Sequence, residues 1–125
     1  MAKHNEIGKI GEDVAAAFLK DKGMKIVSRN YRKPYGEIDI VARETSGVYR
    51  FVEVKTVSHG TVSEDEGYRP EENVHPQKVK RLLRTIESYL ISYGIETEWQ
   101  FDLIAVFLDQ KTKEAKVRWL KDIVI

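Results

Sequence analysis

The stretch Gly36–Thr56, GEIDIVARETSGVYRFVEVKT, sets Glu37, Asp39, Glu53 and Lys55 inside two runs otherwise rich in Ile, Val and Ala. Ionised groups are costly to bury, so strands that carry them must keep a face wet or put the charges to use. The β-branched residues at alternate positions predict two strands, and ETSG between them is short enough for an antiparallel hairpin. A period of two then sorts the side chains. Ile38, Ile40 and Ala42 share one face of the first strand, with Glu37, Asp39 and Val41 on the other. On the second strand Phe51, Glu53 and Lys55 share a face opposite Val52 and Val54. Two registers are open. A three-residue loop of Thr45, Ser46 and Gly47, with Gly47 left-handed, sets Asp39 across from Glu53, and a four-residue loop shifts the pairing by one. In the first case two anions stand about 4.5–5.5 Å apart at Cβ and repel unless a cation lies between them.

Outward from the hairpin, Asn5 is a capping residue for a first helix running to about Lys22 and stopping at Gly23. Ile7, Ile10, Val14, Ala17 and Phe18 form its main apolar stripe, and Glu12, Ala15, Ala16 and Leu19 form a second, neighbouring one. MKIVSRNYR predicts a strand before the hairpin. Beyond it, about 57–77 has no hydrophobic period and reads as a mobile loop. Val79, Leu82, Leu83, Ile86, Leu90 and Tyr93 mark a second amphipathic helix ending at Gly94. WQFDLIAVFL and EAKVRWL follow as two more strands. The expected fold is α/β, a mixed five-stranded sheet flanked by helices in the order α-β-β-β-α-β-β, within one domain spanning 1–125.

With 125 residues, 42% hydrophobic and 33% charged, the chain supports one core and not two. No apolar run approaches the ~20 residues that span a bilayer, and the N-terminus lacks the apolar segment of a secretion signal. The expectation is a cytoplasmic protein with no membrane partner. The absence of cysteine excludes disulfides and thiolate metal sites, and the wide spacing of His4, His59 and His75 argues against zinc. A net charge of +1 makes no general case for nucleic acid. Any such case must come from local clusters, Lys78, Lys80, Arg81 and Arg84 within two helical turns and Arg29, Arg32 and Lys33 within five residues, which taken alone read as solvated faces and support nucleic acid only in company with other features.

Two carboxylates and a lysine on one sheet face, with a third carboxylate from a helix, form a set suited to phosphodiester hydrolysis assisted by Mg²⁺ or Mn²⁺. Mg²⁺ takes one or two protein carboxylates and keeps several waters, polarises a phosphoryl oxygen and favours ionisation of a bound water. Lys55 can orient that water or stabilise developing negative charge, and the identity of the base stays open between metal-bound hydroxide, Lys55 and substrate phosphate.

The motif GEID…VEVK, preceded by Glu12, resembles the PD-(D/E)xK nuclease superfamily, in which archaeal Holliday junction resolvases share the layout. GEDVAAAFL, N-Y-R, GEIDIVA, FVEVK, K-V-K-R-L and FDLIAV are similar in order and spacing to the bacterial YraN-like family, whose members are assigned as endonucleases by resemblance. The resemblance implies a restriction-endonuclease-like fold, metal ligation by Asp39 and Glu53 with Glu12 completing the site, and Lys55 as catalytic lysine. It implies that Lys78 contacts phosphate, that branched or distorted DNA is the substrate, and that two copies pair; RNA remains open. Ile38 stands where the superfamily name has proline, and Thr56 follows EVK without a basic residue after it.

The rival reading is a nuclease-fold module that binds nucleic acid without turnover, inside a DNA-processing complex. Taken alone, Glu53 and Lys55 read equally as an exposed ion-pair ladder. Glu37 is either a further ligand or a partner for backbone donors beside Gly36. Asp102 is either a hydrogen-bonded structural acid or a neighbour of the site. Tyr31 and Tyr35 either stack on bases or pack, and His75 reads as a helix-entry residue.

Overall fold

The computed structural model describes residues 4–59 and 75–125. Helix α1 spans His4–Asp21, strand β1 Lys25–Lys33, β2 Gly36–Arg43, β3 Tyr49–His59, helix α2 Pro76–Ser92, β4 Trp99–Asp109 and β5 Ala115–Ile123. The strands form one five-stranded sheet in the order β1-β2-β3-β4-β5. Every neighbouring pair is antiparallel except β3 and β4, which run parallel because α2 crosses between them. This is the mixed, helix-flanked sheet and the element order expected from the sequence. No helix among the described residues is long and apolar enough to cross a membrane.

Alternation along the strands divides the core. Ala15, Ala16 and Leu19 of α1 pack against Ile40, Ala42, Val52, Ile104 and Val106 on one face. Leu82, Ile86 and Tyr89 of α2 pack against Ile38, Val41, Phe51, Phe101 and Leu103 on the other. FDLIAV in β4 is buried throughout, as a central strand with a parallel neighbour and covered faces must be.

Four expectations are corrected. Helix α1 starts at His4, so Asn5 lies inside it. Its deeply buried stripe is the second one, Ala15, Ala16 and Leu19, while Ile10 is 45% exposed. The cause is Gly11: a Cβ there would meet Thr56 Oγ1 at 1.8 Å, so the helix lies directly on β3 at that point and the face carrying Gly11, Ala15 and Leu19 turns to the sheet. Ile38 packs under α2 and Ile40 under α1, against strict alternation. In the β1–β2 register Asn30 falls opposite Asp39, and its left-handed φ of 54° breaks the pleat there. Finally, β3 runs on to His59 and α2 begins at Pro76. The ends of the expected 57–77 loop are thus regular structure, and the remainder lies outside the described residues.

The hairpin turn follows the three-residue option. Glu44 N–H donates to Val48 O at 2.9 Å, Gly47 N–H donates to Glu44 O at 2.9 Å, and Gly47 has φ 99°. His75 caps α2, its Nδ1 accepting from Gln77 N–H at 3.2 Å.

One polar network lies within the core. Asp102, fully buried, accepts from Arg50 Nη1 at 3.0 Å, from Trp119 Nε1 at 3.0 Å and from the Asp122 amide at 2.9 Å. Arg50 also donates to Glu44 at 2.6 Å and Asp122 at 2.8 Å. Asp102 is therefore the structural acid of the two alternatives. The signal that could have found its partner is Arg50 itself, a cation on the same strand face as Val52 and Val54.

Two predictions follow from this packing. Gly8→Ala and Gly11→Ala should shift the urea midpoint in opposite directions. Gly8 has open space around its Cβ position and gains up to about 1 kcal/mol of helix propensity, whereas overpacking at Gly11 costs about 1–3 kcal/mol or more. Arg50→Ala should lose about 3–5 kcal/mol by leaving Asp102 buried and uncompensated. Adding Asp102→Asn should recover part of that loss in the same unfolding assay.

Candidate functional site

Strands β2 and β3 pair from Arg43–Tyr49 to Ile40–Val52 and then part. Continued one step, this register brings Asp39 opposite Glu53. At the fork the Asp39 carboxylate substitutes for a strand partner, its Oδ2 accepting from Val54 N–H at 2.7 Å. A carboxylate is thereby held in the sheet where its neighbours are Val, Ile and backbone.

Burial, the largest cause, pushes the Asp39 carboxyl from 3.8 up to about 6. The Val54 amide pulls the other way, and the negative charges of Glu12, Glu37 and Glu53 add to the rise. Three acids from α1, β2 and β3 thus bear electrostatically on one half-buried carboxyl group, an arrangement that favours a proton or a cation between them.

Glu53 leans toward α2. Its Oε1 pairs with Lys78 Nζ and lies 3.6 Å from Lys55 Nζ. Burial works against the Lys78 ammonium, but the hydrogen bond and charge of Glu53 outweigh it and raise its pKa, with Asp39 contributing. Lys78 therefore stays charged. A cavity of about 300 Å³ opens here, lined by Gly36, Glu37, Glu53, Lys55, Lys78, Arg81 and Leu82. Its wall is set by a second close approach: a Cβ on Gly36 would meet Thr85 Oγ1 at 2.5 Å and the Arg81 carbonyl oxygen at 3.3 Å.

Glu12 arrives from the α1 side, brought to the sheet by the Gly11–Thr56 contact in the preceding position. Its carboxylate is 3.9 Å from Arg29, which is bound more closely to Asp13 at 2.7 Å. Arg29 therefore belongs to the α1 face and braces Glu12, apart from the other basic residues. Glu37 is exposed and pairs with Arg32 at 3.3 Å. Tyr31 packs: its hydroxyl is 2.6 Å from Ser88 Oγ and its ring stands edge-on to Tyr89. Lys33, Lys80, Arg81 and Arg84 are exposed.

Residues 11–106 match the family described as Uncharacterised protein family UPF0102. The chain belongs to the UPF0102 family. Among relatives, the UPF0102 protein FP2501 of Flavobacterium psychrophilum is 38% identical over 122 residues, covering 98% of this chain and 96% of its own. The UPF0102 protein of Moorella thermoacetica is 43% identical over 115 residues, 91% of each chain. A solved structure of Pyrococcus furiosus SfsA in complex with Ca²⁺ aligns at TM-score 0.41 and 14% identity over 97% of this chain. This chain spans 65% of the length of that one. The UPF0102 assignment agrees with the YraN-like blocks of the sequence.

Among the described residues of this UPF0102 chain, no three Asp, Glu, His or Cys side chains gather closely enough to hold a metal ion by themselves. Glu12, Asp39 and Glu53 do not form a closed cage, because Glu53 is drawn to two ammonium groups and Asp39 is tied to Val54. The donor chemistry fits a hard cation that needs only one or two carboxylates and keeps its waters. By their donor oxygens Asp39 and Glu53 are the carboxylates that could hold such a cation.

The raised Asp39 carboxyl has a consequence for stability. Its folded pKa of about 6 exceeds the unfolded 3.8, so its contribution is fully present below pH 3.8 and is lost as pH rises through 6. Asp39→Asn removes the charge and keeps an acceptor for Val54. With chelator present, the variant should be more stable than the parent at pH 8, by up to about 3 kcal/mol. That advantage should vanish at about pH 4 in thermal unfolding, the acid limit set by the unfolded carboxyl.

Proposed function

We propose that this UPF0102 protein is a divalent-cation-dependent endonuclease acting on branched or distorted DNA. The observation that carries the reading is the half-buried Asp39 carboxyl, under the negative charge of Glu12, Glu37 and Glu53, while Glu53 itself lines a cavity with Lys55, Lys78 and Arg81. Acids that repel one another beside cations that attract phosphate are the two halves of a phosphodiester site. Asp39 and Glu53 would hold the divalent cation, which when bound would supply Lewis-acid polarisation of a phosphoryl oxygen and favour ionisation of water.

The chain's own groups do the remaining work. Lys78 and Arg81 orient a phosphate entering the cavity, and Lys78 exchanges its pairing with Glu53 for one with that phosphate. Lys55 stabilises negative charge as it develops. Glu12 fixes a water on the α1 side, with Arg29 setting its position. Recognition rests on backbone charge and shape, since phosphate contacts orient a nucleic acid without reading its sequence.

A second reading has its own observation. Glu53 already holds two lysines and no three-carboxylate cage forms among the described residues, which favours a binding module without turnover.

Incubating the protein with labelled four-way junctions, flaps, duplex, single strands and RNA, in Mg²⁺, Mn²⁺ or chelator, separates the two. The expected outcome is metal-dependent cutting of branched DNA, reduced about 100-fold or more by Asp39→Asn or Glu53→Gln. Added Mn²⁺ should raise the unfolding midpoint of the parent and not of Asp39→Asn. Tight binding with no cutting on any substrate supports the module, and undiminished cutting by Asp39→Asn removes the site. Sedimentation of the free and DNA-bound protein tests whether two copies pair.

A further inference from the structure

Outside the acid cluster, an aromatic–guanidinium stack stands on the same flank of α2. The Arg84 guanidinium carbon lies 3.8 Å over the Tyr35 ring centroid. Tyr35 is half-buried in the two-residue turn, Pro34–Tyr35, that joins Lys33 to Gly36, and Arg84 is exposed. The contact is not needed to fasten the hairpin to α2. Gly36 already abuts Thr85 and the Arg81 carbonyl, and Tyr31 already bonds Ser88. Gly36 is also a lining residue of the cavity, so the stack borders the place where phosphate would sit.

We propose that Arg84, backed by Tyr35, is a stacking platform for an unpaired nucleobase, so that the preferred substrate carries unpaired nucleotides beside the cleaved bond. The inference rests on the nuclease reading and supplies its substrate class. Six residues separate Lys78 from Arg84, a rise of ~9 Å along the helix. A strand covers that distance within about three nucleotides at the ~3.4 Å rise of stacked bases. A planar guanidinium lying on an aromatic ring offers its outer face to a base and adds positive charge. A paired base has both faces covered by its neighbours and must be unstacked to use the platform, whereas an unpaired one reaches it at least cost. Fully paired DNA therefore gains nothing from Tyr35.

The test is binding in chelator, where cutting does not intervene, using a paired duplex and the same duplex carrying a short single-stranded flap with a fluorescent purine analogue. Tyr35→Ala keeps every charge, and Arg84→Lys keeps the charge and removes the plate. Each should weaken binding to the flap about tenfold, abolish the quenching of the analogue on binding, and leave duplex affinity within about twofold. Tyr35→Phe should behave as the parent. Unfolding midpoints of all variants verify that the turn persists. Equal weakening on both DNAs, or no change on either, overturns the platform even if the protein cuts DNA. A parent protein that binds no nucleic acid overturns the platform together with the nuclease reading.

Discussion

The site depends on one hydrogen bond that replaces backbone with side chain. Where β2 and β3 part, Val54 N–H is satisfied by the Asp39 carboxylate at 2.7 Å. Leaving a buried amide unpaired costs about 1–3 kcal/mol, and satisfying it with an anion burdens that anion with desolvation. The two demands are met together only because other groups converge on the fork. Asn30, opposite Asp39 with φ 54°, lets β1 follow the break, and Lys78 brings a positive charge from α2 to Glu53. The fork thus turns a regular hairpin into a place where charge is held under tension.

Two glycines hold that place from opposite faces. Gly11 seats α1 on Thr56, and Gly36 seats against α2 at Thr85. In both, a missing side chain lets backbone approach a threonine more closely than any Cβ allows, and in both the adjacent position is an acid, Glu12 and Glu37. At Gly11 the close approach sets the half-buried Glu12 beside the sheet, whereas Glu37, next to Gly36, stays exposed. Three residues before Glu53, on the other sheet face, Arg50 and Asp102 anchor the same strands through a network in which the buried charges have partners. The core pairs its charges fully, while around Asp39 three acids bear on one carboxyl group.

Much of this was legible in the sequence because it depends on periodicity and loop length. The element order follows from counting, and of the two loop lengths that counting leaves open the structure takes the three-residue one, with Gly47 left-handed. What escaped depends on partners that counting does not supply. Alternation assumes an unbroken pleat, so it puts Ile38 on the face of Ile40, and the break between them is invisible to it. A glycine in a helix looks like a flaw until Thr56 is seen beneath it, which is why the small-residue stripe of α1 lost to the Ile7–Ile10 stripe in a reading by hydrophobicity. Arg50 by itself points to no particular partner in the sequence, because a buried ion network is recognisable only from both of its halves.

A near-neutral net charge is compatible with a local cationic cluster because several cations are taken up in ion pairs and others are not. Arg29 is consumed by Asp13 and Glu12, Arg50 by Glu44, Asp102 and Asp122, and Arg32 by Glu37. Lys80 and Arg81 have no such ion pair among the described residues, and with Arg84 and Lys33 they face solvent along α2 and the hairpin tip. Whole-chain charge governs long-range steering, but a groove that follows a phosphate backbone needs only a local stripe of one sign. A chain with a charge of +1 can therefore still carry a local cluster of cations that form no ion pair among the described residues, and this one lies beside a cavity lined by both signs of charge, Glu37 and Glu53 with Lys55, Lys78 and Arg81.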